Sequence, residues 1–556
     1  MNLTAQSCVR RNGKWIAIAA FLWPVVGMSQ VYSGAGNMHE VFAGAETEIY
    51  LHYLDLTDTT SEASWSIRPL SPPQVSKLAR ALVGHPWQSR LADFSDPSSF
   101  LAFRLLSPNA SVRYNSAFPY GSNDGAIWAG RGITTAAQLG VFAKLGPLSV
   151  TLRPTVFRAE NSAFPLAPST LSCRCGDPIL GAAVDKPQRF GSVAYQRADL
   201  GESSVRVDAF GVSGGFSTAN EGWGPSAEYP YVLGNNAPGF PHLFFGSSSP
   251  FPIFIGKAHL RVIYGRLDQS DYSPITGSKF YSSQIEPGRV RFASGVIFTF
   301  QPRGFDGLEI GGSRFLHSIW PRSGIPASYL RKPLQAFLKV NLPGIDQQIA
   351  GTDNQLASFF ARWAFRESGL EVYAEYGRED NSYDLRDFMQ EPDHQRTYSL
   401  GLAKVLGKQP TQFNVLRIEV MNFQLPPLAT TGRGEGSIYI HGQLRQGHTN
   451  RGQLLGADVG VGAAAGSTVR WDHYSGGGRW ALFWRRDVRQ EGSDPSLTAP
   501  SVQQIADVLH AFGFERLTFT RRFDLTTSLT LMRDLSRNFS NSQSNLNAAV
   551  AVTLPR

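Results

Sequence analysis

A long acidic loop carries the residues best suited to chemistry. Between Gly377 and Arg396 the chain reads GREDNSYDLRDFMQEPDHQR, which holds Arg378, Glu379, Asp380, Tyr383, Asp384, Arg386, Asp387, Glu391, Asp393 and His394. These charges can pair with one another and order the loop, or they can meet sugar hydroxyls, charged sugars or a divalent cation. Paired carboxylates also carry glycoside hydrolysis, but spacing along one loop does not fix the separation that this reaction needs. The mixture of signs favours a self-paired network.

A second candidate combines a tryptophan with two amides. Trp223-Gly224-Pro225 is followed by Asn235-Asn236 in a segment rich in turn residues. An aromatic ring can pack on the apolar C–H face of a sugar, while an amide both donates and accepts hydrogen bonds. These residues indicate either a sugar site or the folded core of a plug, and the sequence does not separate the two.

Two further motifs carry weaker signals. Residues 123–132 contain three glycines, but they lead into a strand rather than a helix, which argues against dinucleotide binding. We favour a structural role over sugar binding for this motif, in which Asp124 and Arg131 are able to form an ion pair in the lumen. His448 and Thr449 are adjacent, but consecutive strand residues face opposite sides, so they do not form the base and nucleophile of an acyl hydrolase. We expect no enzyme activity, no cofactor and no metal.

Strands surround the acidic loop. In residues 357–366, Phe359 and Trp363 share one parity and Ser358 and Arg362 the other, and this period of two predicts a strand. Arginine inside a strand is costly against lipid but natural in a wet lumen, so the pattern favours a transmembrane barrel over a soluble sandwich. The same alternation recurs near residues 148–156, 205–210, 257–264, 370–376, 397–402, 416–420 and 525–531. Long loops are expected near 160–190, 213–255, 267–290, 377–396 and 424–434.

Charge and targeting narrow the class of protein. The formal charge of +8 over 556 residues is scattered, with no Lys/Arg tract, so nucleic acid is not an expected partner. A basic start and an apolar run from Trp15 to Met28 predict a secretory signal peptide over residues 1–29. Cys173 and Cys175 are one residue apart, where a disulfide would be strained, so we expect an incidental loop pair.

The segment after the signal peptide differs from the rest. Glu46 to Leu56 is predicted to be a short amphipathic helix, and a second helix is predicted to begin at Ser71, with Gln74 completing a capping box. Val75, Leu78 and Leu82 give this second helix an apolar face that needs a partner. We therefore predict a signal peptide (residues 1–29), a periplasmic helical segment (30–105) and a barrel (106–556).

Six stretches together resemble the capsule assembly protein family typified by Wzi. They are WSIRPLSP (Trp65–Pro72), PYGSNDGAIWAGRG (Pro119–Gly132), WGPSAEYPYVLGNNAPGFPH (Trp223–His242), DNQLASFFARW (Asp353–Trp363), EVYAEYGREDNSYDLRDFMQEPDH (Glu371–His394) and TNRGQLLGADVG (Thr449–Gly460). They occur in the family's order. The resemblance implies an all-β protein, a large antiparallel outer-membrane barrel of roughly 18 strands with a helical segment at its periplasmic end. It further implies a lectin that holds capsular polysaccharide at the cell surface.

On this interpretation the glycan contacts lie on the long loops, because loops vary while the barrel stays rigid. The predicted polysaccharide-binding residues are Trp223, Asn235, Asn236, Arg378, Glu379, Asp380, Tyr383, Asp384, Arg386 and His394. We expect a monomer in the outer membrane of a Gram-negative bacterium. Its expected partners are surface or capsular polysaccharide, outer-membrane lipid and the barrel assembly machinery. A porin or polysaccharide export channel is the alternative, and an outer-membrane hydrolase is the third reading.

Overall fold

A computed structural model describes most of the chain after residue 39. The described residues are 40–57, 63–81, 84–91, 100–166, 184–272, 290–335, 337, 341, 353–379, 382, 384–390, 392, 395–423, 438–441, 444, 446–490 and 506–554. The predicted signal peptide, both loop cysteines and Leu82 lie outside these ranges.

Eighteen strands of the described chain close one antiparallel sheet into a barrel. Three of these strands, β3, β4 and β6, consist of two segments separated by a short break, and both segments pair with the same neighbouring strand. In chain order the strands are β1 (Leu101–Asn115), β2 (Gly132–Leu145), β3 (Leu148–Leu152 and Thr155–Ala159), β4 (Tyr195–Asp199 and Ser204–Ala209), β5 (Val212–Ser217), β6 (His242–Ser247 and Phe251–Ile253), β7 (Gly256–Asp268), β8 (Val290–Pro302), β9 (Leu308–Ile319), β10 (Asp353–Phe365), β11 (Leu370–Glu379), β12 (Arg396–Gln409), β13 (Gln412–Phe423), β14 (Ala464–Ser475), β15 (Gly478–Gln490), β16 (Ala506–Phe519), β17 (Asp524–Leu535) and β18 (Gln543–Thr553).

The first and last strands close the barrel. β1 pairs with β18 in a register that runs from Asn109 opposite Thr553 to Asn115 opposite Asn547. The predicted barrel class is therefore confirmed, while two predicted boundaries shift. β1 already begins at Leu101, inside the segment assigned to helices, and the loop expected over 213–255 contains most of β5 and all of β6.

The wall has its polar side chains inside and its apolar side chains outside. In β10, Arg362 is 1% exposed and faces the lumen, whereas Phe359 is 62% exposed and faces outward. Glu371 of β11 receives the Arg362 guanidinium inside the lumen. This arrangement is the inverse of a soluble sandwich, in which the apolar parity would be the buried one.

The two ends of the barrel differ in how the strands are joined. Short turns follow every even-numbered strand and form the short-turn end, and longer connections follow every odd-numbered strand and form the long-connection end. The predicted turn at Glu367-Ser368-Gly369 joins β10 to β11, and Gly369 supplies a positive φ of 64°.

Three helices close the short-turn end: α1 (Glu46–Asp55), α2 (Pro72–Ala81) and α3 (Gln88–Leu91). Trp87 stacks on Tyr50 at 3.9 Å between ring centroids and donates its indole N–H to the Ser475 carbonyl over 2.9 Å. Leu78 is buried in the same apolar cluster, so the predicted docking of α2 agrees with the structure.

The N-terminus of α2 is capped more simply than predicted. The Ser71 hydroxyl accepts a hydrogen bond from the Gln74 backbone N–H over 3.3 Å, as an N-cap does. The Gln74 side chain does not complete a capping box, because its oxygen accepts no hydrogen bond from the Ser71 N–H, and its amide N–H donates to the Ser64 carbonyl over 3.1 Å. Gln74 thus ties α2 to the preceding extended link.

Chain segments fill the lumen between the two ends. The plug, defined here as residues 218–241 from the β5–β6 connection and 446–463 from the β13–β14 connection, forms a buried apolar cluster with inward-facing wall residues. The two plug segments join where the Gly234 N–H donates to the Leu455 carbonyl over 2.9 Å. Ser226 donates to the inward-facing Glu419 of β13 over 2.8 Å, which ties the plug to the wall. No helix in the described part of the chain combines the length and apolar character that a membrane crossing needs.

Candidate functional site

A polar cavity of about 240 Å³ lies at the long-connection end, between the plug and strands β15 to β17. We call it the outer cavity. The β1–β2 connection forms one side, and the plug residues Asn236 and Asp458 form another. Arg485 and Asp487 of β15 and Asp507 of β16 form the wall side. The cavity is therefore built from segments that the sequence separates by several hundred residues.

Each acidic side chain around the cavity is paired with a base. Lys186 Nζ lies 2.9 Å from Asp458 Oδ1, Arg485 Nε lies 2.7 Å from Asp487 Oδ2, and Arg537 Nη1 lies 2.8 Å from Asp534 Oδ2. Arg489 pairs in the same way with Asp507, and Arg113 with Asp124. Pairing fixes the direction of each carboxylate and guanidinium, so the cavity presents oriented acceptors and donors rather than mobile charges.

Aromatic rings supply the apolar part of the lining. Trp128 is half-buried, and its ring packs 4.8 Å from Phe190 and 6.0 Å from Tyr195 between centroids. The Arg537 guanidinium lies 3.9 Å above the Phe118 ring. Trp128 and Phe118 line the cavity together with Tyr120. A ring beside charged donors and acceptors is the combination that sugar recognition requires.

Two cavity groups outside the strands have shifted pKa values. Burial alone would raise the pKa of Asp458, but the attraction and hydrogen bond of Lys186, together with the charges of Arg485 and Arg489, lower that pKa below its usual range. Burial raises the pKa of the Tyr120 hydroxyl to about 12. Near neutral pH, Asp458 is therefore an ionised acceptor and Tyr120 keeps its proton as a donor.

The lining of the outer cavity therefore carries groups that suit a hydroxyl-rich ligand. Its carboxylates accept hydrogen bonds from hydroxyls, its guanidinium groups donate to ring or carboxylate oxygens, and its rings can cover C–H faces. In the described ranges, no group of three or more histidine, cysteine or carboxylate side chains is arranged to hold a metal ion.

The second sequence-predicted candidate, which combines a tryptophan with two amides, does not form one site. Its tryptophan lies in the plug core and one of its amides lines the outer cavity. Trp223 is fully buried, pairs with Ile67 in a two-residue ladder, and donates its indole N–H to Glu221 over 3.2 Å. It therefore belongs to the plug core, which was the alternative reading of this segment. Asn235 donates to the Asn123 carbonyl over 2.9 Å. Asn236 lines the outer cavity and is held there by a 3.0 Å hydrogen bond to the Leu454 carbonyl.

The described residues of the acidic loop do not line the outer cavity. Glu379 is buried in the lumen wall and accepts a hydrogen bond from the Asn354 amide over 3.0 Å. The Arg378 guanidinium lies 5.2 Å above the Phe388 ring. Asp384 accepts a hydrogen bond from the Asp387 N–H over 2.8 Å at the start of a short helix, α4 (Leu385–Gln390), on which Arg386 is exposed. Asp380, Tyr383 and His394 lie outside the described residues.

The Asp124–Arg131 pair that the sequence allows does not form. Asp124 instead receives the Arg113 guanidinium, with Nη2 2.7 Å from Oδ1, while Arg131 Nε donates to the Ser116 carbonyl over 3.1 Å. Arg113 lies on the inward face of β1, directly below the connection that carries Asp124. The glycine-rich motif therefore has a structural role, as expected, and also contributes Asp124 and Trp128 to the cavity lining.

The histidines near hydroxyl groups fit structural roles. His448 Nε2 donates to the Val232 carbonyl over 2.6 Å, while the Thr449 hydroxyl donates to the Gln446 carbonyl over 2.9 Å. Burial lowers the pKa of His448 to about 3, so its ring is neutral. Ser247 Oγ lies 2.6 Å from His259 Nδ1, but the same oxygen accepts the Leu260 N–H over 3.0 Å as part of the wall.

Sequence reasoning missed most of the cavity lining. Asp487, Asp507 and Asp534 come from three successive strands, and each alone resembles any polar residue of a wet lumen. A usable signal was present in the motif at 119–132 and in the motif at 449–460, since both contribute lining residues. The sequence could have suggested that both motifs contribute to one site. It could not show where in the barrel they meet.

The comparisons with known proteins concern the fold. No known family profile matches the sequence, and no curated protein gives a significant match. Among solved structures, the chain is similar to Wzi of Escherichia coli, with a TM-score of 0.59 and 14% identity over 93% of this chain and 100% of that chain. That protein is described as an outer-membrane protein involved in group 1 capsule assembly and as a carbohydrate-binding β-barrel.

Weaker likenesses are to barrels from two other organisms. OccAB2 of Acinetobacter baumannii gives a TM-score of 0.39 at 9% identity over 80% of this chain and 97% of that chain. OccK2 of Pseudomonas aeruginosa, solved with glucuronate, gives 0.39 at 8% identity over 82% and 98%. TM-scores this low add nothing to the fold assignment. Of these likenesses, only the one to Wzi supports a closed barrel of 18 strands.

Proposed function

We propose that this protein is an outer-membrane lectin that binds or anchors surface polysaccharide, of the kind that a capsule assembly barrel holds at the cell surface. One sugar unit of the polysaccharide enters the outer cavity. The observation that carries the proposal is the combination of a lumen filled by an apolar plug with a polar, aromatic-lined cavity at the long-connection end.

The roles of the residues follow from their placement. Trp128 covers the apolar face of the sugar, Asp458 and Asp487 accept from its hydroxyls, and Arg485 donates to its oxygens. Among the described residues of the sequence-predicted set, Asn236 belongs to this cavity. The exposed Arg386 on α4 is proposed as a contact for neighbouring sugar units at the rim.

The direction of the barrel supports this assignment. Short turns face the periplasm in outer-membrane barrels and longer loops face the exterior. The helices at the short-turn end then lie in the periplasm, and the outer cavity opens toward the cell surface, where polysaccharide is found. We further propose that the protein acts as a monomer after insertion by the barrel assembly machinery.

The test is capture of the purified full-length protein on immobilised surface polysaccharide of the host. We expect saturable binding that soluble polysaccharide competes away and that an unrelated neutral glucan does not. Absence of capture across a range of protein concentrations would remove the lectin assignment.

The alternative of a porin or export channel predicts an open path through the lumen. The buried plug core opposes this reading, because ions would have to cross a close-packed apolar cluster. Purified protein in planar bilayers should therefore show no steady conductance steps. Regular single-channel steps combined with failed capture on polysaccharide would favour the channel.

A further inference from the structure

Three basic residues form a row across the outer face of the barrel near the long-connection end. Arg486 of β15 lies directly opposite His510 of β16, and His510 lies opposite Arg533 of β17. All three point outward, because they share the parity of Phe512, which is 59% exposed. Arg533 is exposed, and Arg486 and His510 are half-buried. We call these three residues the basic row.

An apolar groove begins next to the basic row, on its short-turn side. The next two outward positions of each strand are apolar: Trp484 and Leu482 of β15, Phe512 and Phe514 of β16, and Leu531 and Leu529 of β17. They line an open groove of about 520 Å³ on the outer wall, which we call the wall groove. Successive outward positions are roughly 7 Å apart along a strand, so the groove starts within reach of the basic side chains.

The basic row interrupts an apolar stretch of wall. On its other side the outward positions are Val488, Val508 and Leu535. An arginine on the lipid face of a barrel is destabilising to a degree that depends on its depth, so two in one row call for an anionic partner. In the described parts of β14 to β18, every acidic side chain has the inward parity. The carboxylates of these strands therefore lie on the opposite side of the sheet from the row.

Hydrogen bonds within the row fix the direction of its donors. The Trp484 indole N–H donates to His510 Nδ1 over 3.3 Å, and the two rings are stacked 6.1 Å apart. Because Nδ1 accepts this bond, the ring proton lies on Nε2, which is a donor even when the imidazole is neutral. Arg533 Nη1 donates to the Ser544 hydroxyl of β18 over 3.0 Å, which holds the guanidinium along the wall. The row thus presents oriented N–H donors beside an apolar groove.

We propose that the basic row and the wall groove together bind a phosphate-bearing glycolipid of the outer leaflet. The guanidinium groups of Arg486 and Arg533 and the Nε2–H of His510 meet a headgroup phosphate, to which charged donors bind strongly. An acyl chain lies in the groove against Phe512 and Leu531. Oriented donors at the end of an apolar groove match a molecule with an anionic head and an apolar tail.

The arrangement favours a lipid over a second copy of this chain. A symmetric contact through this face would bring two identical surfaces together at the same depth in the membrane, so each basic row would meet its own copy. The proposal rests on the proposed outer-membrane location, in which the long-connection end faces the outer leaflet. It is separate from the polysaccharide site, because the basic row faces outward and the outer cavity lies inside the barrel.

The test measures lipid retained by the full-length protein in a zwitterionic detergent, using native mass spectrometry. The probes are bis-phosphorylated lipid A, the same glycolipid without phosphate, and phosphatidylcholine. We expect the parent to retain lipid A selectively. The Arg486→Gln/Arg533→Gln variant should bind lipid A about tenfold or more weakly, as expected for the loss of two charges at a lipid headgroup.

Two further variants separate the contributions of head and tail. Phe512→Ala/Leu531→Ala should weaken retention of both glycolipids alike, because it removes apolar surface from the groove and leaves the basic row intact. Arg516→Gln is the matched control, since Arg516 is an exposed arginine on the same outward face of β16, toward the short-turn end. It should retain lipid A like the parent. Heat-modifiable migration checks the folding of each variant.

Several outcomes would overturn the lipid assignment. Equal retention of lipid A by the parent and a folded Arg486→Gln/Arg533→Gln variant would remove the basic row from the site. Equal retention of lipid A and the glycolipid without phosphate by the parent would show no phosphate recognition, and this comparison needs no variant. A dimer of the parent that Phe512→Ala/Leu531→Ala loses would assign the groove to contact between two copies instead.

Polysaccharide capture by the same variants distinguishes the two proposals. The basic-row and groove variants should bind polysaccharide like the parent. Failure of lipid selection with intact capture would sink only the lipid proposal, whereas intact lipid selection without capture would sink only the lectin proposal.

Discussion

At the scale of single residues, burial decides whether a tryptophan packs in the protein core or is available to bind a sugar. Trp223 has the right chemistry for a sugar, but its ring lies against Gly295 of β8, where an added Cβ would come within 2.6 Å of the indole. The missing side chain at Gly295 makes room for the ring in the plug core. Trp128 has the same chemistry but is only half-buried and lines a cavity. Burial therefore assigns Trp223 to packing and leaves Trp128 available for recognition.

Asp458 provides a test of the cavity at the residue scale. Asp458→Asn removes a charged acceptor and leaves Lys186 without its 2.9 Å partner, so affinity for polysaccharide should fall roughly tenfold. Equilibrium binding to the purified barrel measures this. Asp306→Asn, at an exposed position in the turn between β8 and β9, is the matched control and should change nothing. Equal affinity of Asp458→Asn and the parent would place the ligand elsewhere.

At the scale of elements, the helices and the plug each close part of the lumen. α1 reaches the wall through His52, whose Nε2 lies 3.0 Å from Glu371 of β11, and α3 reaches it through Arg90, 2.9 Å from Asp524 at the start of β17. The plug meets the wall at Tyr229, whose hydroxyl lies 2.8 Å from that of Thr468 in β14. The barrel is thus braced from inside at both ends.

A single charge introduced by mutation tests whether α2 is docked in the apolar cluster at the short-turn end. Leu78→Asp places an unpaired carboxylate in the apolar cluster, which should destabilise the docked segment by roughly 3 kcal/mol or more. The helical segment should then be cleaved by protease faster than in the parent. Lys77→Gln, at an exposed position on the same helix, should leave the rate unchanged. A Leu78→Asp variant as resistant as the parent would show that α2 is not held by this contact.

For the whole molecule, the sequence predicted the barrel better than the site. Strands such as β10 and β11 could be predicted because each alternates regularly between Arg or Glu and apolar residues. β5 reads Val212-Ser-Gly-Gly-Phe-Ser217, and its glycines disguise a strand as a loop. The position of residues 320–335 on the outer face of the wall was not predicted, because nothing in one chain segment shows on which side of a wall it will fold. The cavity was missed because barrel closure, rather than sequence spacing, brings β15, β16 and β17 beside the plug.

Membrane location is a prediction for the molecule as a whole. The protein should fractionate with outer membranes, without residues 1–29, and should migrate faster on gels when it is not boiled, because a closed barrel resists unfolding by detergent. The measurement is fractionation followed by paired boiled and unboiled gels. Recovery in the soluble fraction, or identical migration in both gels, would contradict the proposed location.

The central claim is that the outer cavity, rather than the barrel surface at large, holds the polysaccharide. The most direct measurement is equilibrium binding of the host's surface polysaccharide to purified parent, Trp128→Ala and Trp471→Ala, with folding of each checked by heat-modifiable migration. Trp471 lies on the outward face of β14 and is the matched control. We expect Trp128→Ala to lose about tenfold or more in affinity, as removal of an aromatic platform does, while Trp471→Ala binds like the parent. Parent-like affinity of a correctly folded Trp128→Ala variant would contradict the account.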